Sequence, residues 1–240
     1  MRMLKLWQVA TVENYATIEE LEAGLLTCRS CDLCNTTNRG PTSYTGTAKS
    51  PLMIIGEGPG GVEDEYGVPL VGPSGQLLDK ALWSVGVTRD RVYTTNVVKC
   101  RPQGNRTPTI EEGCFCADLW LAKEIALVKP QAIVALGSVA LRYLYGADKK
   151  ITKERGKWFQ TEAGIWAIPT FHPAYLLRLS GKPLVTAKWN VFYDLKAAIE
   201  KCREAPEYTS YMFASENTAK LLELYEQRRN ERSERKLAVK

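Results

Sequence analysis

Leu52-Met53-Ile54-Ile55-Gly56-Glu57-Gly58-Pro59-Gly60-Gly61 opens on four apolar residues and then places four glycines in six positions. A short apolar run closed by glycine reads as a strand buried on both faces that delivers the chain into a loop. The rhythm recurs downstream. Val92–Val98, Ala132–Leu136 and Ile165–Phe171 are further strand candidates. Ser74–Val85, Ile110–Val128 and Ser138–Tyr145 carry apolar residues at helical spacing, and Lys188–Arg203 closes the series as another helix. Apolar strands alternating with helices imply βαβ units. The expected fold is therefore α/β, a three-layer αβα arrangement around a central four-stranded parallel sheet. Ligands of such sheets bind outside the carboxyl ends of the strands. Those ends are Gly56–Gly61, Asn96–Arg101, Gly137–Ser138 and His172–Pro173, so four segments are expected to converge on one site.

Upstream of this pattern, residues 1–24 read as a polar lead and a short helix. Thr17 is placed to cap it with Glu20 three residues on, and Ile18, Leu21, Leu25 and Leu26 form an apolar stripe. Residues 25–204 hold the α/β pattern. Residues 205–240 form a C-terminal, partly basic helical extension ending in QRRNERSERK, most simply a solvated helix.

The whole chain has 240 residues, 45% hydrophobic and 25% charged, with a formal net charge of +5. These are globular proportions, and they exclude wholesale disorder. No apolar run approaches the ~18 residues of a membrane span, so no membrane partner is expected. The start, MRMLKLWQVATVENY, lacks the pattern of a secretory signal, which makes a cytoplasmic location the default.

One histidine and seven cysteines sharpen the picture. A zinc site with two histidines is excluded, and any imidazole chemistry falls to His172. An odd cysteine count without an export signal argues against disulfides and for a metal or cluster role. Cys28, Cys31 and Cys34 follow C-x2-C-x2-C, whereas Cys100, Cys114 and Cys116 come much later and Cys202 stands apart. Such a set lets thiolates from distant segments meet on one centre and staple the N-terminal arm to the core. Thiolates suit a zinc ion and a 4Fe–4S cluster equally well.

The glycine loop matches G-x-G-x-x-G but lacks the Lys-Ser/Thr of a P-loop. A dinucleotide fold wants a helix opening at the glycines, and helical patterning starts only near Ser74. It also wants an acid at the end of the second strand, where Asn96 stands.

GEGPGGVEDEYGVPLVGPSGQLL (56–78) resembles the first motif of the family 4, iron–sulfur uracil-DNA glycosylases. YTTNVVKCRPQGNRTP (93–108) resembles that family's asparagine-bearing strand, and RGKWF (155–159) and FHPAYLLR (171–178) resemble its third block and its histidine motif. The resemblance covers roughly residues 25–200, with the motifs in family order. It implies a 4Fe–4S cluster, of structural role, on Cys28, Cys31, Cys100 and Cys116, with Cys34 beside it as a non-ligand. Cys116 is preferred to Cys114 because it lies eleven residues beyond Asn105, where the family's last ligand falls.

The implied reaction hydrolyses the N-glycosidic bond of uracil in DNA and leaves an abasic site in base excision repair. The base must leave the stack and enter a pocket. Charge developing on the uracil O2 needs a donor, and a water must be held below the anomeric carbon. Asn96 is expected to read uracil N3–H and O4, since an amide offers both a donor and an acceptor. His172 is expected to donate to O2, and Glu57 to orient the water or stabilise the cationic sugar. Gly56, Gly58, Pro59 and Gly60 shape the loop against the base, with Glu63 supporting it. Leu70 stands where the family usually has the phenylalanine that stacks on uracil, which implies weaker binding or relaxed selectivity. Leu176 and Leu177 are wedge candidates with Arg178 beside them, and Arg101 and Arg106 are expected phosphate contacts. The implied partner is uracil-containing DNA, met by a monomer, with the C-terminal extension free for a repair or replication partner. An alternative is a catalytically weak iron–sulfur protein that binds uracil-DNA or docks a repair partner.

Overall fold

The computed structural model describes residues 15–204, so the C-terminal extension lies outside the described residues. Five strands form one sheet in the order β2-β1-β3-β5-β4. They are β1 (Leu52–Gly56), β2 (Tyr93–Asn96), β3 (Ala132–Leu136), β4 (Phe159–Gln160) and β5 (Trp166–Thr170). The four strands of the sequence reading are β1, β2, β3 and β5, and these pair in parallel. The expectation of four strands needs correction: β4 adds a fifth, antiparallel to β5, with Phe159 opposite Ala167. Two residues at a sheet edge are too short to show a period-2 pattern, so the sequence gives no sign of it.

Alternation along β1 sorts the core into two layers. Met53 and Ile55 face one side, with α1 (Ile18–Leu26), the helical rod 110–128 and α6 (Gly137–Tyr145). Leu52 and Ile54 face the other, with α3 (Pro73–Ser84) and α9 (Gly181–Arg203). Every residue of β1 and β3 is buried, as a central parallel strand requires.

α1 is capped as its sequence predicts, Thr17 Oγ1 accepting from Glu20 N at 3.2 Å. Leu26, however, is 48% exposed, so the stripe narrows to Ile18, Leu21 and Leu25. The helix also runs across the boundary drawn at residue 24, and its apolar face belongs to the main core. α2 (Gly61–Tyr66) is a second departure, because a helix does open at the glycines. Its sequence, GVEDEY, has no apolar stripe. It is fixed instead by Glu63, whose Oε2 accepts from Gly60 N at 3.1 Å.

The rod 110–128 is continuous but not uniform. α4 (Ile110–Cys116) passes through a π-helical turn, Ala117–Leu121, into α5 (Ala122–Val128). Such turns insert a residue into the helical register. Two short helices, α7 (Ile151–Glu154) and α8 (Pro173–Leu176), flank β4 and β5. No described helix is long and apolar enough to cross a membrane.

Candidate active site

A cavity of about 760 Å³ lies beyond the carboxyl ends of the parallel strands. Glu57, Gly58, Pro59 and Gly60 line it from the loop after β1, and His172 and Arg178 from the segment after β5. The N-terminal turns of α3 and α6 also reach it, through Pro73–Ser74 and Gly137–Ser138. Free N–H groups at helix starts suit a ligand that carries or develops negative charge.

Asn96 ends β2 at 1% exposure, and neither its amide nitrogen nor its amide oxygen has a partner. A buried amide without partners costs about 1–3 kcal/mol, so the fold tolerates it at a price that a bound group can offset. Gly56 makes room for it: a Cβ at residue 56 would run into Asn96 Oδ1 and come within 3.7 Å of Leu70 Cδ1. Gly56, Asn96 and Leu70 are thus one packed constellation. Leu70 lines the cavity at 4% exposure, on left-handed backbone with φ 54°.

His172 caps α8, its Nδ1 accepting from Ala174 N at 3.1 Å. An acceptor at Nδ1 leaves the proton of the neutral ring on Nε2, as a donor. Burial pushes the imidazole down to about 4, and the positive charge of Arg178 adds to this against the Glu63 carboxylate. The ring is therefore neutral at physiological pH. Gly137 sits directly behind it, where a Cβ would stand 2.8 Å from His172 Cβ.

Burial holds the Glu57 carboxyl above its ordinary range, and the Arg178 guanidinium pulls it back down. Arg178 thus acts on both Glu57 and His172 across the cavity. Glu63 is structural: it bridges Gly60 N and Gly72 N, the latter at 2.8 Å, and so ties the glycine loop to the start of α3.

The outer residues divide. Leu177 is 51% exposed and lines the cavity, whereas Leu176 is 3% exposed and packs into the core beneath α9. Only Leu177 is placed to project outward. Arg106 is held by Glu112 at 2.6 and 2.7 Å, and Arg101 by Asn105 at 2.7 Å with Asp64 at 3.6 Å. Both guanidinium groups already have partners, whereas Arg178 stands exposed at the rim. Arg142 joins the lining without having been expected. Its signal was in the sequence, since it lies one helical turn beyond Ser138 at a strand end.

In the core layer that holds Met53 and Ile55 the cysteines gather. Cys100 and Cys116 are buried, and Cys28, Cys31 and Cys34 pack against the same core. Burial raises the Cys100 thiol, and the neighbouring Cys116, Cys31, Cys28 and Cys34 sulfurs raise it further. Trp120 Nε1 donates to Cys28 Sγ at 3.4 Å, and Lys99 N donates to Cys116 Sγ at 3.3 Å. Among the described residues no group of three or more potential ligands stands at metal-binding distances, and all seven cysteines are free. The donor set is nonetheless purely sulfur and partly buried, with N–H groups aimed at two of the sulfurs, which suits a thiolate-held centre. Cys202 lies in the other core layer with its Sγ on Pro51 O, and Cys114 lies beside Asp118 and Glu111.

The sequence pattern of the uracil DNA glycosylase superfamily matches residues 43–196, which span both the glycine loop and the histidine segment. The chain belongs to that superfamily. A type-4 uracil-DNA glycosylase of Thermotoga maritima is 45% identical over 153 residues, covering 63% of this chain and 78% of the relative. One of Pyrobaculum aerophilum is 42% identical over 159 residues (62% and 81%), and one of Archaeoglobus fulgidus 36% over 169 residues (67% and 83%). The chain is thus a type-4 member of the uracil DNA glycosylase superfamily. A type-5 enzyme of Pyrobaculum aerophilum is also similar, at 35% over 156 residues.

Proposed function

We propose that this chain excises uracil from DNA. It takes the flipped base into the cavity, hydrolyses the N-glycosidic bond and leaves an abasic site for base excision repair. The observation that carries the reading is the unpartnered amide of Asn96, 1% exposed, packed at Gly56 next to Leu70, which lines a cavity that also presents a neutral imidazole. The amide oxygen accepts from uracil N3–H and the amide nitrogen donates to O4. Cytosine reverses that pattern, and a reversed pair inside a buried site is strongly rejected.

His172 Nε2–H donates to the uracil O2 as the base departs with its electrons. Glu57 faces the sugar, holding the water and opposing the positive charge that grows on the ring. None of the described residues lining the cavity is a lysine, which supports simple hydrolysis without a lyase step. Arg178 and Arg142 contact phosphates at the rim, and Leu177 fills the gap left by the base.

Cys28, Cys31, Cys100 and Cys116 hold a 4Fe–4S cluster that clamps the N-terminal arm onto the core. Its contribution is structural, because cleavage of this bond moves no electron to or from a carrier.

A uracil-containing oligonucleotide incubated with the protein and then treated with alkali tests the reading. Strand cleavage at the uracil is expected, and its absence from the Asn96→Ala His172→Ala variant assigns it to this site. Cleavage no greater than that of the double variant would refute excision and leave uracil-DNA binding as the function.

A further inference from the structure

Leu70 is one of three described non-glycine residues at positive φ; it lines the cavity, as Asn105 does, but of the two it alone is buried. Side chains rarely adopt that conformation, so something must hold it. From inside the cavity, Glu63 fixes Gly72 N, two residues further on. From outside, a single guanidinium does the rest. Arg89 donates through Nη1 to Leu70 O at 2.7 Å, through Nη2 to Gly75 O at 2.7 Å and through Nε to Asp79 Oδ1 at 2.8 Å. Gly75 and Asp79 both belong to α3, so the fork pins the Leu70 carbonyl to that helix. The packing is close enough that a Cβ at residue 75 would collide with the same carbonyl.

We infer that Arg89 is a positioning residue for the base pocket. It holds Leu70 in its left-handed conformation, so that the leucine side chain lies against Gly56 and Asn96, where the uracil ring would be received. The inference rests on the excision reading and extends it to a residue that touches neither base nor phosphate. All three donor groups of Arg89 turn inward and its side chain is 15% exposed. It sits outside the cavity lining, behind the wall that Leu70 forms. Charge alone does not perform this role. Lysine is a point charge and cannot bridge two carbonyls and a carboxylate as a planar fork does.

The test is a double-mutant cycle on the full-length protein, reading kcat and KM for a uracil oligonucleotide and the melting temperature. Arg89→Ala is expected to raise KM about tenfold, with a smaller change in kcat, which is a coupling size ordinary for residues in contact. Arg89→Lys is expected to behave like Arg89→Ala. In a Leu70→Ala background the Arg89→Ala loss in kcat/KM should shrink to about twofold or less, because its target side chain is gone. Equal losses in the two backgrounds would overturn the inference. So would a lowered melting temperature with unchanged kinetics, or full rescue by lysine accompanied by a shallower salt dependence, which would mark a phosphate contact. Should Arg89→Ala fail to fold, Asp79→Asn, which removes one anchor of the fork, enters the same cycle with the same criteria. An inert wild type would refute excision itself, and this inference with it. An active wild type with additive losses would refute this inference alone.

Discussion

The amide oxygen of Asn96 occupies the space that a β-carbon on Gly56 would need. The two residues end neighbouring parallel strands in register, Gly56 opposite Asn96. One therefore exists in its present form for the other. Gly56→Ala is expected to push the amide aside and lower kcat/KM by a hundredfold or more, on the order of losing a buried reader of the base. Asn96→Ala should lower it similarly and raise the melting temperature, since it removes unpaired polar atoms costing about 1–3 kcal/mol. Kinetics and thermal melts on both variants check this. An Asn96→Ala protein less stable than wild type would contradict it.

The only histidine of the chain makes the next prediction simple to read, because its ring signals need no assignment. Nuclear magnetic resonance should show His172 titrating near 4, with the Nε2–H tautomer above that pH. A free histidine in the unfolded chain titrates near 6.5, so between these values the unfolded state binds more protons. Stability should accordingly fall as the pH drops from 6.5 toward 4, and kcat should show no limb near 6.5 from this residue. A midpoint near 6.5 would contradict the geometry. His172→Ala is expected to lower kcat about 10²–10³-fold, the usual cost of one oxyanion donor.

Much of this site was readable in advance, for a physical reason. Residues at the ends of fully buried strands are fixed by the strands, and runs such as Leu52–Gly56 and Ala132–Leu136 announce themselves by composition. Asn96 and His172 inherit their positions from such runs. Leu176 and Leu177 could not be separated, because which of two adjacent residues faces the core depends on where α8 begins, a matter of one residue. α2 was missed since side-chain hydrogen bonds rather than an apolar face hold it. The bonded state of Arg101 and Arg106 depends on Asp64, Asn105 and Glu112, whose neighbourhood no local pattern predicts.

Leu70 stands where a flat ring would stack better. Leu70→Phe is expected to lower KM for uracil-DNA by up to about tenfold, the part of a ~1–3 kcal/mol stacking contribution that leucine forgoes. Substrate titrations on the two proteins decide it. An unchanged kcat/KM would show that leucine already fills the pocket as the reaction needs.

The cysteines should partition sharply. The proposed cluster predicts a brown protein with bound iron and sulfide, and serine at Cys28, Cys31, Cys100 or Cys116 is expected to abolish all of these and to lower the melting temperature. Serine at Cys34, Cys114 or Cys202 should preserve all three. Colour lost on Cys202→Ser would contradict the assignment, as that thiol lies in the other core layer.

Lys99 and Glu124, each with 1% of its side chain exposed, meet at 2.5 Å beneath β2, where Thr95 Oγ1 also contacts both. Breaking a buried pair strands a charge, at about 3–5 kcal/mol. Glu124→Gln should therefore destabilise by about that amount in urea melts, whereas Lys99→Met Glu124→Met should recover most of the loss. Equal destabilisation in the double variant would show that the pair itself, not the stranded charge, carries the stability.

The seat of Cys28 beside Trp120 has a consequence in time. The ribosome delivers the N-terminal arm first, yet what the arm rests on is made much later: Arg101 O receives the Thr36 hydroxyl at 2.7 Å and the Trp120 indole reaches Cys28 at 3.4 Å. Closing so long a loop precedes any reward from these contacts. During synthesis the arm therefore cannot take its final seat until the helix bearing Trp120 has emerged.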